Sequence, residues 1–286
     1  MSNITYPCPN PSETTRRRGE PGEAGPVRDE VQVGFLQFAP QVRSEKENVE
    51  FIRSAVRGVT EALVVLPEFF LGSYRAHSRV FSGQGELARQ LGPLLAASAE
   101  QGISFVGSLP VRSAGNSFNR AVVIESGRVF PVHDKTRLFG AELDVFSRGR
   151  ASHRIVDIAG LPSTVQICLD IVDPEPARSA AAAGADLVLS PSTVSVEFLR
   201  IIHQARALEN QVVSVFCNRH GAEEDGTIYL GRSAVFFPDG TEVSAPSDED
   251  ALEIRTVRAE QFDRWKAVRR NVLGIRPAGS ATGHPA

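Results

Sequence analysis

The sequence is poor in cysteine, with only Cys8, Cys168 and Cys217 among its 286 residues. The three are odd in number and far apart, which argues against the disulfide framework of a small secreted protein. The six histidines form no close pair at ligand spacing, so a structural metal centre is not expected either. These absences predict a cytoplasmic protein that needs no metal.

Long apolar runs and large blocks of one charge are also missing. No run approaches the roughly 20 apolar residues that a helix needs to cross a bilayer, and the N-terminus lacks the apolar core of a secretory signal. The net charge is -3, and the basic residues form no block beyond Arg16, Arg17 and Arg18. We therefore expect neither a membrane nor a nucleic acid as the main partner.

Composition divides the chain into one domain and two tails. Residues 1–29 are rich in Pro, Gly, Glu and Arg and offer little to pack, which predicts a disordered N-terminal tail. Residues 276–286 consist largely of Gly, Pro and Ala and predict a flexible C-terminal tail. The 42% hydrophobic content shows no break between the tails, so residues 30–275 are predicted to form one domain.

Short apolar strands alternate with helices along this domain, which predicts an α/β protein with helices covering the sheets. Hairpins, such as the one turning at Ser126 and Gly127, make the sheets mixed. The pattern leaves three or four layers open. The predicted helices cover residues 45–59, 86–101, 176–183, 194–209 and 259–271. The predicted strands cover residues 31–38, 62–66, 103–109, 118–125, 128–132, 154–158, 164–167, 186–189, 212–217, 231–237 and 241–244.

Three polar residues stand where predicted strands end, at the edge where α/β folds place their sites. Glu68 comes just after strand 62–66, Lys135 follows the second hairpin strand, and Cys168 closes strand 164–167. Each has an ordinary interpretation by itself. A Glu or Lys beyond a strand is usually solvated, and a Cys in an apolar strand is usually a small core residue.

The combination of motifs around these residues is more specific than any one of them. The motifs are Leu-Pro-Glu-Phe-Phe at 66–70, Asp-Lys-Thr-Arg-Leu-Phe at 134–139, Glu142 followed by Phe146 and Gly149, and Gln-Ile-Cys-Leu-Asp at 166–170. In this order and spacing they resemble the nitrilase-like carbon–nitrogen hydrolase superfamily. The resemblance extends over about residues 31–275 and includes structural segments at 184–186, 206–211 and 231–233.

The resemblance implies a four-layer α-β-β-α sandwich with mixed β-sheets, assembled as a homodimer or larger homo-oligomer. It also implies a Glu-Lys-Cys triad, in which Cys168 is the nucleophile, Glu68 the general base and Lys135 the cation that stabilises the oxyanion. Glu142 is similar to the second glutamate of the family, which orients lysine, substrate or water. No cofactor is implied.

This division of roles suits amide hydrolysis. A free thiol is mostly protonated near neutral pH, so Cys168 needs a base to attack a carbonyl. Desolvation raises the proton affinity of a carboxylate toward the range that such a base requires. The oxyanion needs donors, for which we expect Lys135 and the backbone N–H of Leu169. Loss of one such donor typically costs about 2.7–4 kcal/mol.

The substrate is less well indicated by the sequence. Asp170 is similar to the amidase branches, whereas nitrilases tend to carry Glu there, so we expect a small linear amide or an N-carbamoyl compound. A nitrilase, an acyl transferase and a catalytically silent binding protein on the same fold remain alternatives. The residues predicted to contact the substrate are Tyr74, Leu169, Ser192 and Thr193.

Overall fold

The computed structural model describes residues 29–74, 80–150 and 154–274. The predicted tails at 1–29 and 276–286 lie outside these residues, except for Asp29, and so remain predictions. In the described part of the chain, no helix is long and apolar enough to span a membrane.

Strands and helices alternate through the described residues, as the sequence predicts. The strands are β1 Glu30–Gln37, β2 Ala62–Glu68, β3 Ser104–Ser113, β4 Asn116–Glu125, β5 Arg128–Asp134, β6 Val156–Ile158, β7 Leu161–Val165, β8 Leu187–Pro191, β9 Val213–Cys217, β10 His220–Ala222, β11 Ile228–Leu230, β12 Ala234–Phe236, β13 Glu242–Ser244 and β14 Ala251–Arg258. The helices are α1 Glu45–Ala55, α2 Gln84–Gln90, α3 Gly92–Gln101, α4 Glu142–Val145, α5 Pro174–Ala182, α6 Phe198–Asn210 and α7 Ala259–Val272, with 3-10 turns at Pro40–Val42 and Cys168–Val172.

Two six-stranded sheets pack face to face. Sheet A has the order β14-β1-β2-β3-β4-β5, and sheet B has the order β13-β12-β9-β8-β7-β6. Parallel strands occupy the centre of each sheet, and antiparallel strands flank them. Helices α1 and α3 cover sheet A, and α5 and α6 cover sheet B. The four-layer α-β-β-α sandwich with mixed sheets is thereby confirmed.

Strand β2 shows why the central strands are apolar throughout. Leu63 and Val65 pack into the core between the two sheets, whereas Val64 and Leu66 pack beneath the helices of sheet A. Successive side chains of a strand point to opposite faces, and both faces of this strand are covered. A β-bulge between Val65 and Glu68 interrupts this alternation at the carboxyl end of the strand, where Glu68 lies.

The single helix predicted over residues 86–101 is wrong, because the structure has two helices, α2 and α3, in this region. The break falls at Leu91, Gly92 and Pro93. Proline has no N–H to donate and its ring clashes with a preceding carbonyl, so Pro93 starts a new helix rather than continuing the first.

Two strand predictions also need correction. The strand predicted over residues 154–158 is the shorter β6, and the strand predicted over residues 164–167 is β7, which starts and ends earlier. The two strands join across a turn at Ala159 and Gly160, which both have positive φ. Strands β10, β11 and β14 were not predicted, and β14 pairs along the whole of β1. The sequence of β14, which is largely half-buried, mixes apolar and charged residues and lacks the apolar run used to recognise the other strands.

The pairing of β1 with β14 depends on Gly34. A Cβ atom at this position would lie 1.9 Å from the carbonyl oxygen of Glu253. We therefore expect Gly34→Ala to lower the free energy of unfolding by about 1–3 kcal/mol, the usual cost of overpacking. Urea denaturation measures this change. Gly92→Ala is the control, since open space surrounds Gly92 at the start of a helix. Equal stability of the two variants would contradict the close approach of β14.

Candidate active site

Lys135 lies between two carboxylates at the carboxyl-terminal edge of sheet A. Its Nζ is 2.7 Å from Glu68 Oε1 and 2.7 Å from Glu142 Oε2. The residues are 1%, 0% and 0% exposed, respectively. Glu68 ends β2, Lys135 follows β5, and Glu142 begins α4. The structure thus brings together three of the four predicted catalytic residues in one buried ion cluster.

Asn119 of β4 completes this cluster. Its Nδ2 donates to Glu68 Oε1 at 2.7 Å and to Glu142 Oε1 at 2.9 Å. The backbone N–H of Phe139 donates to Glu142 Oε2 at 3.0 Å. Both oxygens of Glu142 are therefore occupied. By contrast, the buried Glu68 Oε2 has no hydrogen-bond partner among the described residues, so it can accept a proton or a hydrogen bond.

Cys168 approaches from sheet B, where it begins the 3-10 turn after β7. Its φ is 48°, an unusual value for a residue other than glycine and one that often marks a functional turn. The thiol donates to the carbonyl oxygen of Thr193 at 3.7 Å, and Thr193 Oγ1 donates to the carbonyl of Glu68 at 3.3 Å. Thr193 thereby connects the predicted nucleophile to the segment that carries the predicted base.

Burial controls the electrostatics of the site. It raises the pKa of the Cys168 thiol, with a further increase from the charge of Glu68 and a decrease from Lys135. Burial also raises the pKa of Glu68, against the opposing charge of Lys135. For Lys135, burial alone would lower the pKa, but the charges of Glu68, Cys168 and Glu142 outweigh it and raise the pKa. A neutral thiol beside a protonated lysine is the expected resting state.

Asp170 ties the segment after Lys135 to the turn that carries Cys168. Its Oδ1 accepts from Thr136 N at 3.0 Å, Thr136 Oγ1 at 2.7 Å and Arg137 N at 2.8 Å. Its Oδ2 accepts from Ile167 N at 3.1 Å and lies 2.8 Å from His133 Nε2. Burial by itself would raise the pKa of Asp170, but these hydrogen bonds outweigh it and lower the pKa.

Gly149 allows the backbone after α4 to lie close to the backbone of Asp134 and Lys135. Its N–H donates to the carbonyl of Lys135 at 2.8 Å, and a Cβ atom here would lie 1.9 Å from the carbonyl oxygen of Asp134. The requirement for a residue without a side chain is therefore steric.

On the other side of the site, Arg206 of α6 donates to the carbonyls of Ile171 and Val172 and so holds the turn after Cys168.

Tyr74 and Thr193 lie beside the ion cluster. The ring of Tyr74 packs against Phe69, with centroids 5.5 Å apart, and burial raises the pKa of its hydroxyl, followed by the charge of Glu68. Thr193 is half-buried next to Cys168. Both positions are compatible with substrate contact, which stays a prediction.

Leu169 and Ser192 have different surroundings. Leu169 is half-buried and packs against the core between the sheets. Ser192 is fully buried, and its hydroxyl lies 3.2 Å from that of Ser190. The carbonyl of Ser192 accepts from Glu68 N at 3.3 Å, so this residue holds the backbone of the predicted base. Direct contact of either residue with substrate also stays a prediction.

Three polar residues of the site were missed in the sequence. Asn119 lies in the half of β4 that is mostly polar, so its sequence surroundings carry no clear signal. Arg219 stands two residues beyond the end of β9, where the rule that found Glu68 and Lys135 applies equally. Glu223 follows in the next hairpin and carries no comparable signal. In residues 29–74, 80–150 and 154–274, His, Cys, Asp and Glu form no group that could hold a metal ion.

The family to which this arrangement belongs is identified by comparison with known proteins. The carbon-nitrogen hydrolase family model matches residues 33–269, and the chain therefore belongs to the carbon–nitrogen hydrolase family. The hydrolase in the pqqF 5′ region of Pseudomonas protegens is 30% identical over 259 residues, which cover 86% of this chain and 90% of the relative.

Two further proteins are similar over most of their length. A nitrilase of Pyrococcus abyssi is 28% identical over 231 residues, covering 77% of this chain and 86% of the nitrilase. A mutant of the amidase from Nesterenkonia sp. AN1 in complex with butyramide shares the fold, with a TM-score of 0.69 and 24% identity. That match covers 84% of this chain and 96% of the amidase.

The hydrogen bonds of Asp170 predict a pH-dependent contribution to stability. Because the folded pKa is lowered, the stabilisation is present above the unfolded pKa of about 3.9 and is lost as the pH falls through the folded pKa. We expect Asp170→Asn to lower the free energy of unfolding by about 3 kcal/mol at neutral pH, because buried N–H donors lose a charged acceptor. The difference should shrink below about pH 4.

Urea denaturation at several pH values measures this effect. Asp173→Asn is the matched control, since the side chain of Asp173 is 37% exposed and its ion pair with Arg137 lies at the surface. Surface pairs contribute only about 0–1 kcal/mol. An equal loss in the two variants would show that Asp170 does not hold the site together.

Proposed function

We propose that this protein hydrolyses the C–N bond of a small linear amide or N-carbamoyl compound, with Cys168 as the nucleophile. The observation that carries the proposal is the buried bridge of Lys135 to Glu68 and Glu142, which leaves Glu68 Oε2 without a partner among the described residues. The thiol of Cys168 is connected to the same segment through Thr193. These contacts support a shared buried site for the proposed base, cation and nucleophile.

In the first stage, Cys168 Sγ attacks the amide carbonyl carbon while its proton passes to Glu68 Oε2. The oxyanion that forms is stabilised by the charge of Lys135 and by the backbone N–H of Leu169. Glu68 then gives the proton to the amide nitrogen as the C–N bond breaks. The products of this stage are ammonia or an amine and a thioester on Cys168.

In the second stage, water replaces the amine. Glu68 accepts a proton from water, and the remaining hydroxide attacks the thioester carbonyl. The C–S bond breaks, the acid leaves, and the proton returns to the thiolate of Cys168. Glu68 thus acts as base and acid in turn, a role that suits a carboxyl whose pKa is raised by burial.

The charge of the ion cluster supports proton transfer from Cys168 to Glu68 during the attack, rather than before it. With Lys135 protonated and two carboxylates ionised, the cluster carries one net negative charge. Ionising Cys168 as well would add a second one in a buried site, so the thiol is expected to lose its proton only as it attacks. The negative charge then moves from Glu68 to the oxyanion, and the total stays constant.

An amide substrate is supported by Asp170 and by the butyramide complex of the Nesterenkonia amidase, which has the same fold. The similarity to a Pyrococcus nitrilase supports nitrile hydrolysis as the alternative. We also expect assembly into a homodimer or larger homo-oligomer, which sedimentation velocity would test.

Removing the nucleophile tests the proposal directly. We expect Cys168→Ala to reduce the release of ammonia from butyramide by on the order of 10⁴-fold or more, with an unchanged circular dichroism spectrum. Cys217→Ala is the control, since Cys217 is equally buried and lies in the same core but donates to the carbonyl of Leu36. It should remain active. Ammonia release at the wild-type rate from Cys168→Ala would refute the proposal.

Matched substrates separate the amidase from the alternatives. Butyramide and butyronitrile have the same carbon chain, so a difference in kcat/KM reports on the reacting group. We expect ammonia from the amide and none above background from the nitrile. Turnover of the nitrile would favour the nitrilase alternative. A protein that releases ammonia from no amide, N-carbamoyl amine or nitrile would instead be a silent binding protein.

A further inference from the structure

Arg219 is buried directly behind the backbone of Glu68, although it takes no part in the proposed chemistry. It follows β9 in sheet B, and its side chain is fully buried. Arginine is rarely buried to this degree without several partners. The contacts of Arg219 therefore indicate what it does.

The guanidinium of Arg219 binds three carbonyl groups of one loop. Nη2 donates to the carbonyls of Glu68 and Phe69, the latter at 3.1 Å, and Nη1 donates to the carbonyl of Gly72 at 3.1 Å. The planar fork of arginine can reach several acceptors at fixed angles, which the ammonium of lysine cannot do. One side chain from sheet B thus fixes the chain of sheet A as it leaves Glu68.

Glu223 holds the other end of the same loop. Its Oε1 accepts from Tyr74 N at 2.9 Å and from the Tyr229 hydroxyl at 3.3 Å, and lies 3.5 Å from Arg219 Nη1. Its Oε2 accepts from Ser73 Oγ at 2.7 Å. Together these contacts use both oxygens of the Glu223 carboxylate.

We infer that Arg219 and Glu223 are positioning residues, which form a clamp that holds the Glu68 carboxylate in place against Cys168. This inference rests on the proposed function, in which Glu68 is the base. Phe69, the residue after Glu68, has a φ of 51°, and a residue other than glycine keeps such a conformation only where its surroundings impose it. Two of the three carbonyls that Arg219 binds, those of Glu68 and Phe69, flank this strained residue.

The charge of the clamp also acts on Glu68. The charged or titratable groups that face Glu68 are Lys135, Glu142, Cys168, Tyr74 and Arg219. Burial lowers the pKa of Arg219, and the charges of Tyr229, Glu223 and Glu68 oppose this effect. Glu223 therefore offsets the positive charge that Arg219 would otherwise exert on Glu68.

Two variants test the clamp in different ways. Arg219→Lys keeps the charge but loses the fork, and Glu223→Gln keeps the shape but loses the charge. With butyramide as substrate, we expect each to lower kcat by roughly 10–100-fold, with KM changed less than about threefold, because the base is displaced by a fraction of an ångström to an ångström. Glu223→Gln should also shift the acid limb of kcat to lower pH, since the charge of Arg219 is no longer offset.

Arg269→Lys is the matched control. Arg269 is also buried and donates to the carbonyls of Ala185 and Gln211, but it holds α7 rather than the site. A purely structural role of Arg219 predicts that Arg219→Lys and Arg269→Lys lose stability alike and keep the same kcat and pH profile. That result would overturn the inference. If Arg219→Lys does not fold, the kcat and pH profile of Glu223→Gln decide between the two roles.

A measurement that needs no turnover separates this inference from the proposed function. The rate at which iodoacetamide alkylates Cys168, followed by peptide mass mapping, depends on the base beside the thiol. We expect a fall of roughly threefold or more in both clamp variants and none in Arg269→Lys. Unchanged alkylation would overturn the clamp. Failure of the wild-type protein to release ammonia would refute the proposed function alone.

Discussion

The site depends on a single constraint, namely that the ammonium of Lys135 must be buried between the carboxylates of Glu68 and Glu142. Removing such charges from water costs several kcal/mol per ion, and the cost is recovered only if each ion has partners at good geometry. The structure supplies them from separate segments, including the amide of Asn119 and the backbone N–H of Phe139. Because so many groups must be in place to hydrogen-bond to these ions, the positions of the three ions are closely determined.

Much of this could be predicted from the sequence, because the relevant signals are local. The apolar run of β2 is buried on both faces, so the polar residue at its end, Glu68, had to lie at an edge of the sheet. Lys135 after β5 and Cys168 after β7 also stand at strand ends, but β5 is only partly buried, and the roles predicted for all three residues came from the family resemblance. The layers of the sandwich could not be derived in this way. They followed from the resemblance to a family, since alternation alone does not determine how two sheets face each other.

The remaining features depend on contacts between distant segments, which no local pattern reports. Glu223 is distant in sequence from the Ser73 and Tyr74 groups that it binds. Ser192 and Thr193 show the limit most clearly, because adjacent residues at the end of a strand point in different directions. One hydroxyl is fully buried against Ser190, and the other residue is half-buried beside Cys168. A prediction from sequence that names both residues as substrate contacts cannot tell which of them lies beside Cys168.

The proposed nucleophile and the proposed base belong to different sheets, and this has a consequence for how the protein can change. Cys168 is carried by sheet B and Glu68 by sheet A, so their separation is governed by the thickness of the apolar layer between them. Residues such as Leu63 and Val65 of β2 fill that layer. Their volumes set the spacing of the reacting groups. Under the proposed function, a change of volume in this layer is therefore also a change in reactivity.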